Sequence, residues 1–200
     1  MTKIIKFENE QEWLDGRRGK ATATKVSGLI VKRGTEHKMG FWELVAETVA
    51  LPPDGENRMD RGKRLEQEAI EYFTKETGKK VNTDLVLVCR DDDPRIAYSP
   101  DGLIGKTEDV EVKCLSSALH IKALVQKKIP HEYEDQMIHG FSVNDSLRKR
   151  YMVFYDPRMP IPFFYIEVLR KDHKDRIKYQ LDAVRSALKE VDLLEAQITF

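Results

Sequence analysis

The segment DVEVKC, from Asp109 to Cys114, constrains the fold more than any other stretch of this 200-residue chain. Its two valines alternate with Glu111 and Lys113, and alternate side chains of a strand point to opposite faces. Such a strand buries its valines against another element and places an acid and a base together on its second face. We therefore expect a strand within a sheet, with either a functional site or a solvated ion pair on that face.

Helical and strand patterns alternate along the chain and predict one domain over residues 1–200. The loop Leu51–Asp60 clusters two prolines and a glycine and is the strongest break. The order of elements predicts an α/β fold with a central mixed sheet flanked by helices. The predicted helices are Thr22–Ile30, Met39–Ala50, Arg61–Gly78, Ser117–Lys127, His131–Val143 and Asp172–Glu195, and the predicted strands are Asp84–Cys89, Arg95–Ser99, Asp109–Cys114, Arg150–Asp156 and Pro162–Arg170.

Composition and charge narrow the class of protein. The chain is 40% hydrophobic and 34% charged, and no apolar run approaches the roughly 20 residues that span a bilayer. Two cysteines are too few for a disulfide or metal framework, and the first residues lack the apolar core of a signal peptide, so we expect a cytoplasmic protein. A net charge of zero argues against coating nucleic acid by charge, and we interpret the basic stretch Arg148–Arg150 as solvated surface.

Asp101 follows the predicted strand Arg95–Ser99 and, if that strand pairs with Asp109–Cys114, converges with Glu111. Two such carboxylates repel each other unless a cation lies between them, and Mg²⁺ prefers carboxylate oxygens together with substrate phosphate. Lys113 beside such an ion would orient or deprotonate a water, or neutralise charge on a phosphate. The alternative is a hairpin with a solvated Glu111–Lys113 pair, which stabilises little. These residues alone leave both interpretations open.

Glu66 is a candidate third acid. In the predicted helix Arg61–Gly78 it falls within the apolar face, whereas Glu68 falls outside it and is predicted to face solvent. A carboxylate on a buried face lowers stability unless it is paired or bound to a metal. Gly62 would allow close approach of a backbone or of DNA. The apolar face itself consists of Leu65, Ala69, Ile70, Tyr72 and Phe73.

Six segments together resemble a known family. They are WLDGRRGKATAT, RGKRLEQEA, SPDGL, EVKC, YEDQ and YDPRM, and they extend from Trp13 to Met159. In this order they resemble the PD-(D/E)xK nucleases, and among these the phage lambda exonuclease and YqaJ-type viral recombinase family. Position 24 is Thr where that family usually has Ser, which keeps a hydroxyl. The resemblance implies a restriction-endonuclease-like core.

The resemblance also implies a catalytic site. Metal ligands would be Asp101 and Glu111, with Glu66 binding directly or through water and the carbonyl of Val112 as a further oxygen. The expected cofactor is Mg²⁺, with two ions per site and Mn²⁺ as a possible substitute. Lys113 would hold or activate the attacking water. The resemblance places Gln136 near that water or the scissile phosphate.

A 5′-phosphate site is implied at the N-terminus. There Arg17 would contact the phosphate, assisted by the hydroxyls of Thr22 and Thr24 and by the start of a helix. Without the resemblance, these residues are better read as an ordinary capped helix with a surface arginine. Ser99 is expected either to bind a phosphate or to close its strand, and Tyr133 either to contact DNA or to pack in the core.

The activity implied is 5′→3′ digestion of linear double-stranded DNA from a 5′-phosphorylated end, releasing 5′-mononucleotides and leaving a 3′ overhang for recombination. The implied assembly is a homotrimeric ring around DNA, with a single-strand annealing recombinase as a partner. The protein would be phage- or mobile-element-encoded and would act in the bacterial cytoplasm. Alternatives are an endonuclease or junction resolvase on the same core, a non-catalytic DNA-end-binding protein, and a globular domain with solvated acids.

Overall fold

The computed structural model describes residues 58–198 continuously. Before them it describes only residues 12, 15, 32–33, 36–37, 39, 42–43 and 45–46. In this early part, strands β1 (Lys32–Arg33) and β2 (Glu36–His37) pair antiparallel. Met39, Trp42, Glu43, Val45 and Ala46 are helical, which agrees with the predicted helix Met39–Ala50. The predicted helix Thr22–Ile30 lies outside the described residues.

Four strands form the central sheet, in the order β5-β6-β7-β8. Strands β5 (Gly102–Ile104) and β6 (Glu108–Lys113) are antiparallel neighbours, β7 (Lys149–Tyr155) is parallel to β6, and β8 (Phe163–Leu169) is antiparallel to β7. The sheet is therefore mixed, as predicted. Strands β3 (Val88–Cys89) and β4 (Ala97–Tyr98) form a separate antiparallel pair.

Within residues 58–198, four α-helices accompany the sheet. They are α1 (Arg58–Thr77), α2 (Ser117–Gln126), α3 (His131–Val143) and α4 (Lys174–Ile198). Parallel strands need a long crossover connection, and α2 with α3 supplies it between β6 and β7. The bounds predicted for α3 are confirmed. Helix α1 begins three residues earlier than predicted, inside the expected loop Leu51–Asp60.

Both faces of the sheet are covered, which explains the strand patterns. On one face, Val110 and Val112 pack with residues of α1, including Leu65, Ala69 and Phe73. On the other face, alternate residues of β7 pack against α3, with Met152 and Phe154 facing Met137, Ile138 and Phe141. Tyr72, predicted on the apolar face of α1, is instead 44% exposed and stacks on Phe163 at the edge of the sheet.

The predicted strand pairing beside β6 was wrong. The segment Arg95–Ser99 gives only the short β4, which pairs with β3, and β6 instead pairs with residues 102–104, which lie between two predicted strands. The tight turn that joins residues 102–104 to β6 is possible because Gly105 takes a left-handed conformation, with φ of 62°. The strand can start at residue 102 because glycine has no Cβ; a Cβ at this position would overlap the side chain of Val81.

The predicted strand Asp84–Cys89 was too long, since only β3 forms within it. Leu85 and Leu87, which a half-buried strand would place on its inner face, are both exposed. Within the described residues, the alternating apolar side chains Leu85 and Leu87 therefore have no surface to pack against. Within that same part of the chain, no helix is both long and apolar enough to cross a membrane.

Candidate active site

The second face of β6 carries an ion pair. The Nζ of Lys113 lies 2.6 Å from Oε1 of Glu111, and the Glu111 side chain is only 3% exposed. Gln136 of α3 donates from its amide nitrogen to the same carboxylate oxygen. This pair is thus partly buried between β6 and α3, and the interpretation as a solvated hairpin is wrong for Glu111.

Asp101 reaches Glu111 by a different route from the one predicted. It immediately precedes β5, where its Oδ2 accepts a hydrogen bond of 2.6 Å from the backbone N–H of Val112. Burial, and next the charge of Glu111, raise the pKa of Asp101 to about 7. Asp101 therefore lies near enough to Glu111 for the two charges to interact, although the strand beside Asp101 is not the predicted one.

Glu66 enters from the opposite side, on α1. It lines a cavity of about 190 Å³ together with Lys113, Tyr133, and the β6 end from Val112 to Leu115. Burial, followed by the charge of Glu111, raises the pKa of the Glu66 carboxyl above its ordinary value, and Lys113 partly offsets this. The three predicted acids and the predicted lysine therefore share one electrostatic environment at the end of β6.

The donor set fits a hard divalent cation. Carboxylate oxygens are the ligands that Mg²⁺ prefers, and it is commonly held by one or two of them with waters completing its coordination. Burial and then the charge of Glu111 raise the pKa of Asp101, and Lys113 offsets only part of this. The carbonyl of Val112 faces Asp101, because the N–H and C=O of one strand residue point to the same side.

A compact cage is not preformed. Among the residues that the structure describes, no group of three or more His, Cys, Asp or Glu side chains is arranged to hold a metal ion. Glu111 is turned toward Lys113 and Gln136, and Asp101 toward the backbone of Val112. A site of two carboxylates, one carbonyl and waters needs no third acid in direct contact, so binding by Glu66, directly or through water, stays a prediction.

The structure gives fewer contacts between the remaining predicted residues and the candidate site. Tyr133 packs against the core, which is one of its two expected roles. It also lines the cavity, with its ring centroid 5.3 Å from Nζ of Lys113, and its contact with DNA stays a prediction. Ser99 is exposed beyond β4 and is not among the residues lining the cavity. The predicted 5′-phosphate residues Arg17, Thr22 and Thr24 lie outside the described residues.

Comparison with known proteins identifies the family to which the chain belongs. A family model described as a YqaJ-like viral recombinase domain matches residues 12–146, more than half of the chain. The chain belongs to the YqaJ-like viral recombinase family. Comparison with curated proteins gives no significant match.

Two solved structures resemble this family member over nearly its whole length. The alkaline exonuclease LHK-Exo from Laribacter hongkongensis is 26% identical, with a TM-score of 0.61. The structure of LHK-Exo in complex with dAMP is 28% identical, with a TM-score of 0.60. Each covers 94% of this chain and 97% of the other. The predicted nuclease-type α/β fold is confirmed, and the family and these neighbours together indicate a lambda-exonuclease-like nuclease.

A buried arginine beside the site was missed. Arg150 on β7, interpreted as solvated surface, is fully buried. Its Nε lies 2.8 Å from Oδ1 of Asp109, and its Nη1 donates to the carbonyls of Gln136 and Met137 at 2.9 Å each. Its Nη2 makes no hydrogen bond and lies 3.8 Å from Oε2 of Glu111.

Two sequence signals could have located this arginine. Arg150 lies two and four residues before the apolar Met152 and Phe154, so all three point to the same face of the strand. Asp109 likewise shares a face with Glu111. Gly140 in α3 provides the space, because a Cβ at that position would overlap the guanidinium. In this YqaJ-family chain, Arg150 therefore joins three elements: β6, β7 and the helix that carries Gln136.

Two further residues of the family motifs are structural. Glu68, predicted to face solvent, has a side chain that is 40% exposed, and it also accepts a hydrogen bond of 2.9 Å from the hydroxyl of Tyr155. In the YDPRM segment, Asp156 is fully buried and accepts hydrogen bonds from Ser117 at 2.6 Å and from Nε of Arg158 at 2.9 Å. This segment anchors the start of α2 to the end of β7.

Proposed function

We propose that this chain is a single-domain, metal-dependent 5′→3′ exonuclease. Its substrate is linear double-stranded DNA with a 5′-phosphorylated end, and its products are 5′-mononucleotides and a 3′ single-stranded overhang used in recombination. The observation that carries the proposal is the meeting of Asp101, Glu111 and Lys113 beside a cavity that Glu66 lines. Family membership supports DNA as the substrate, and the complex of LHK-Exo with dAMP supports a mononucleotide product.

The acids of the site would hold Mg²⁺, in two ions for which Mn²⁺ can substitute. Their ligands would be Asp101, Glu111 and the carbonyl of Val112, with Glu66 contributing through water. Bound Mg²⁺ would neutralise charge on the scissile phosphate and favour ionisation of the attacking water.

The chain's own side chains orient the reaction. Lys113 is fixed by Glu111 at one edge of the cavity, so its remaining N–H groups can hold the attacking water or the phosphate. Gln136 is fixed by the same carboxylate and can bind the water or a phosphate oxygen. Tyr133 forms a wall of the cavity, where its ring can contact the terminal nucleotide. Ser99 remains a candidate phosphate contact outside the cavity.

The end-binding site and the assembly belong to the same proposal. Arg17, Thr22 and Thr24 would bind the 5′-phosphate of the strand being degraded, which explains a requirement for a phosphorylated end. A homotrimeric ring would retain DNA by enclosing it, and a single-strand annealing recombinase would load on the overhang. The setting that the family suggests is a phage or mobile element acting in the bacterial host cytoplasm.

The direction of DNA digestion and its dependence on a 5′-phosphorylated end can be measured in one experiment. On linear duplex DNA with a 5′-phosphate at one end only, we expect divalent metal to start release of 5′-mononucleotides from that end, because the phosphate is the recognition group. The measurement is the time course of nucleotides released from strands labelled differently at the two ends.

Covalently closed circular DNA is the control for this experiment. An exonuclease leaves it intact, whereas cutting of the circle would favour the endonuclease or resolvase alternative. Binding of DNA ends without any release of nucleotides in Mg²⁺ or Mn²⁺ would instead favour a non-catalytic end-binding protein.

Asp101→Asn should abolish activity and stabilise the metal-free protein at pH 8. The pKa of Asp101 is about 7 in the fold against an ordinary value of 3.8, so its contribution to stability is full below about pH 4 and is lost as pH rises through about 7. Asn stays neutral, and its amide oxygen can keep the Val112 hydrogen bond. Three pKa units correspond to roughly 4 kcal/mol, and we expect about 2–4 kcal/mol.

The measurement is thermal unfolding of wild type and variant in EDTA at pH 4 and pH 8. The variant's advantage should be larger at pH 8, and wild type alone should gain stability there from added Mg²⁺. An equal difference between the two proteins at both pH values would show that Asp101 is not held near neutral pKa by its neighbours.

A further inference from the structure

A second cavity, of about 550 Å³, opens at the other end of the central sheet, where β6 and β7 begin and β8 ends. Most of its lining side chains are basic, and one is apolar. The basic and apolar lining residues are Arg148, Lys149, Leu169, Arg170, Lys171 and Lys174. This cavity, called the basic pocket below, contains none of the candidate catalytic residues.

Two of the five cations are already neutralised by neighbours. Lys149 pairs with Glu167 at 3.0 Å, and Arg170 pairs with Asp145 at 3.2 Å. The acid that lines the basic pocket, Glu108, is itself paired with Lys79 at 2.8 Å. The pocket therefore keeps an excess of positive charge from its remaining side chains.

The three remaining cations are exposed. Among the side chains that the structure describes, those of Arg148, Lys171 and Lys174 make no hydrogen bond or ion pair. They surround one concave surface rather than following a single helix, because Arg148 precedes β7 whereas Lys171 and Lys174 follow β8. Three uncompensated charges around one cavity create a potential that attracts an anionic ligand.

The position of the basic pocket does not suit the DNA bound at the active site. The pocket and Lys113 lie at opposite ends of β6, about 17 Å apart at roughly 3.3 Å per residue. Helix α3 runs from the active-site end to the end where the carbonyl of Phe141 accepts a hydrogen bond from Arg170. Along this route Asp135 is paired with Arg176, Asp145 is paired with Arg90 and Arg170, and Glu132 is exposed. The surface between the two ends is therefore close to charge-balanced rather than a continuous basic track.

We propose that the basic pocket is the docking site for an acidic peptide segment of a partner protein, one that also carries an apolar side chain. Carboxylates of the segment pair with Arg148, Lys171 and Lys174 at the rim. The apolar side chain packs on Leu169 and on the alkyl stems of the basic residues. The volume suits a few side chains of a peptide and exceeds what a lone phosphate fills. This inference does not depend on the proposed nuclease activity.

The test uses a short fluorescein-labelled peptide that is rich in aspartate and ends in phenylalanine. Fluorescence anisotropy measures its binding to the full chain and to the triple variant Arg148→Glu, Lys171→Glu, Lys174→Glu. We expect the variant to bind at least about tenfold more weakly, since three attractions become repulsions. Nuclease activity on linear duplex should be unchanged, because none of the three residues lies at the active site.

The control variant carries Lys75→Glu, Lys127→Glu and Lys128→Glu, three exposed lysines that do not line the basic pocket. It changes the net charge equally and should keep peptide binding. A second peptide, with asparagine in place of every aspartate, should not bind to wild type. Absence of binding to wild type, or an equal loss in both variants, would overturn the proposal. Loss of duplex binding in the first variant alone, with peptide binding kept, would assign the pocket to DNA phosphates instead.

Discussion

Lys113→Ala should reduce nucleotide release by about 10²–10⁴-fold, the range expected when a group that positions or activates the attacking water is removed. Lys113 is the cation paired with Glu111, and it lines the cavity that Glu66 also lines. The variant should stay folded, because Gln136 still donates to Glu111 and the Lys113 side chain is 20% exposed. Single-turnover release of mononucleotides, with enzyme in excess over DNA ends, measures this effect on the chemical step.

Lys106→Ala is the matched control. Lys106 lies in the turn between β5 and β6 of the same hairpin and is exposed, so its removal should leave nucleotide release unchanged. Circular dichroism and DNA-end binding should be similar for both variants and wild type. Unchanged release by Lys113→Ala would remove Lys113 from the mechanism. Equal losses of release and end binding would show that Lys113 acts in binding.

Part of the candidate active site could be predicted because it follows from local patterns. The alternation in β6 separates Val110 and Val112 from Glu111 and Lys113, and the structure keeps that separation. The position of Glu66 within a mostly apolar helical face likewise predicts its partial burial beside β6. Both patterns depend only on the period of the element, which sequence reasoning captures well.

Strand pairing could not be predicted in the same way, because it depends on tertiary contacts. Residues 102–104 become a strand only through pairing with β6 and through the left-handed turn at Gly105. The segment from Asp84 has a better strand pattern, yet most of it forms no strand and leaves Leu85 and Leu87 exposed. Local propensity was therefore outweighed by which segment lies beside β6.

The burial of Arg150 likewise depends on tertiary contacts and could not be predicted from its sequence neighbours. In the sequence it is flanked by Arg148 and Lys149, a pattern typical of solvated surface. Its burial depends on Asp109, which lies 41 residues earlier, and on the space beside Gly140. The strand alternation places Arg150 on the same face as Met152 and Phe154, but no local feature joins it to Asp109 and Gly140. The residue roles at Arg17, Thr22 and Thr24 stay predictions of the family resemblance.

Arg150→Met should lower the free energy of unfolding by about 3–5 kcal/mol, because it leaves Asp109 buried without its cationic partner. The triple variant Arg150→Met, Asp109→Leu, Tyr98→Phe should recover most of this stability. It replaces the whole polar cluster by apolar side chains, including the Tyr98 hydroxyl that donates to Asp109 at 2.8 Å. Urea unfolding followed by circular dichroism gives both values.

Nuclease activity should not recover with stability. The triple variant still lacks the guanidinium that holds the carbonyls of Gln136 and Met137 and lies 3.8 Å from Glu111. We expect kcat to stay at least about tenfold below wild type with KM little changed, because the lost contacts orient the catalytic groups rather than the DNA. Return of both stability and kcat in the triple variant would show that Arg150 only maintains the fold. The surface pair Lys149–Glu167, which joins β7 to its other neighbour β8, is the control, and its apolar replacement should change stability by less than about 1 kcal/mol.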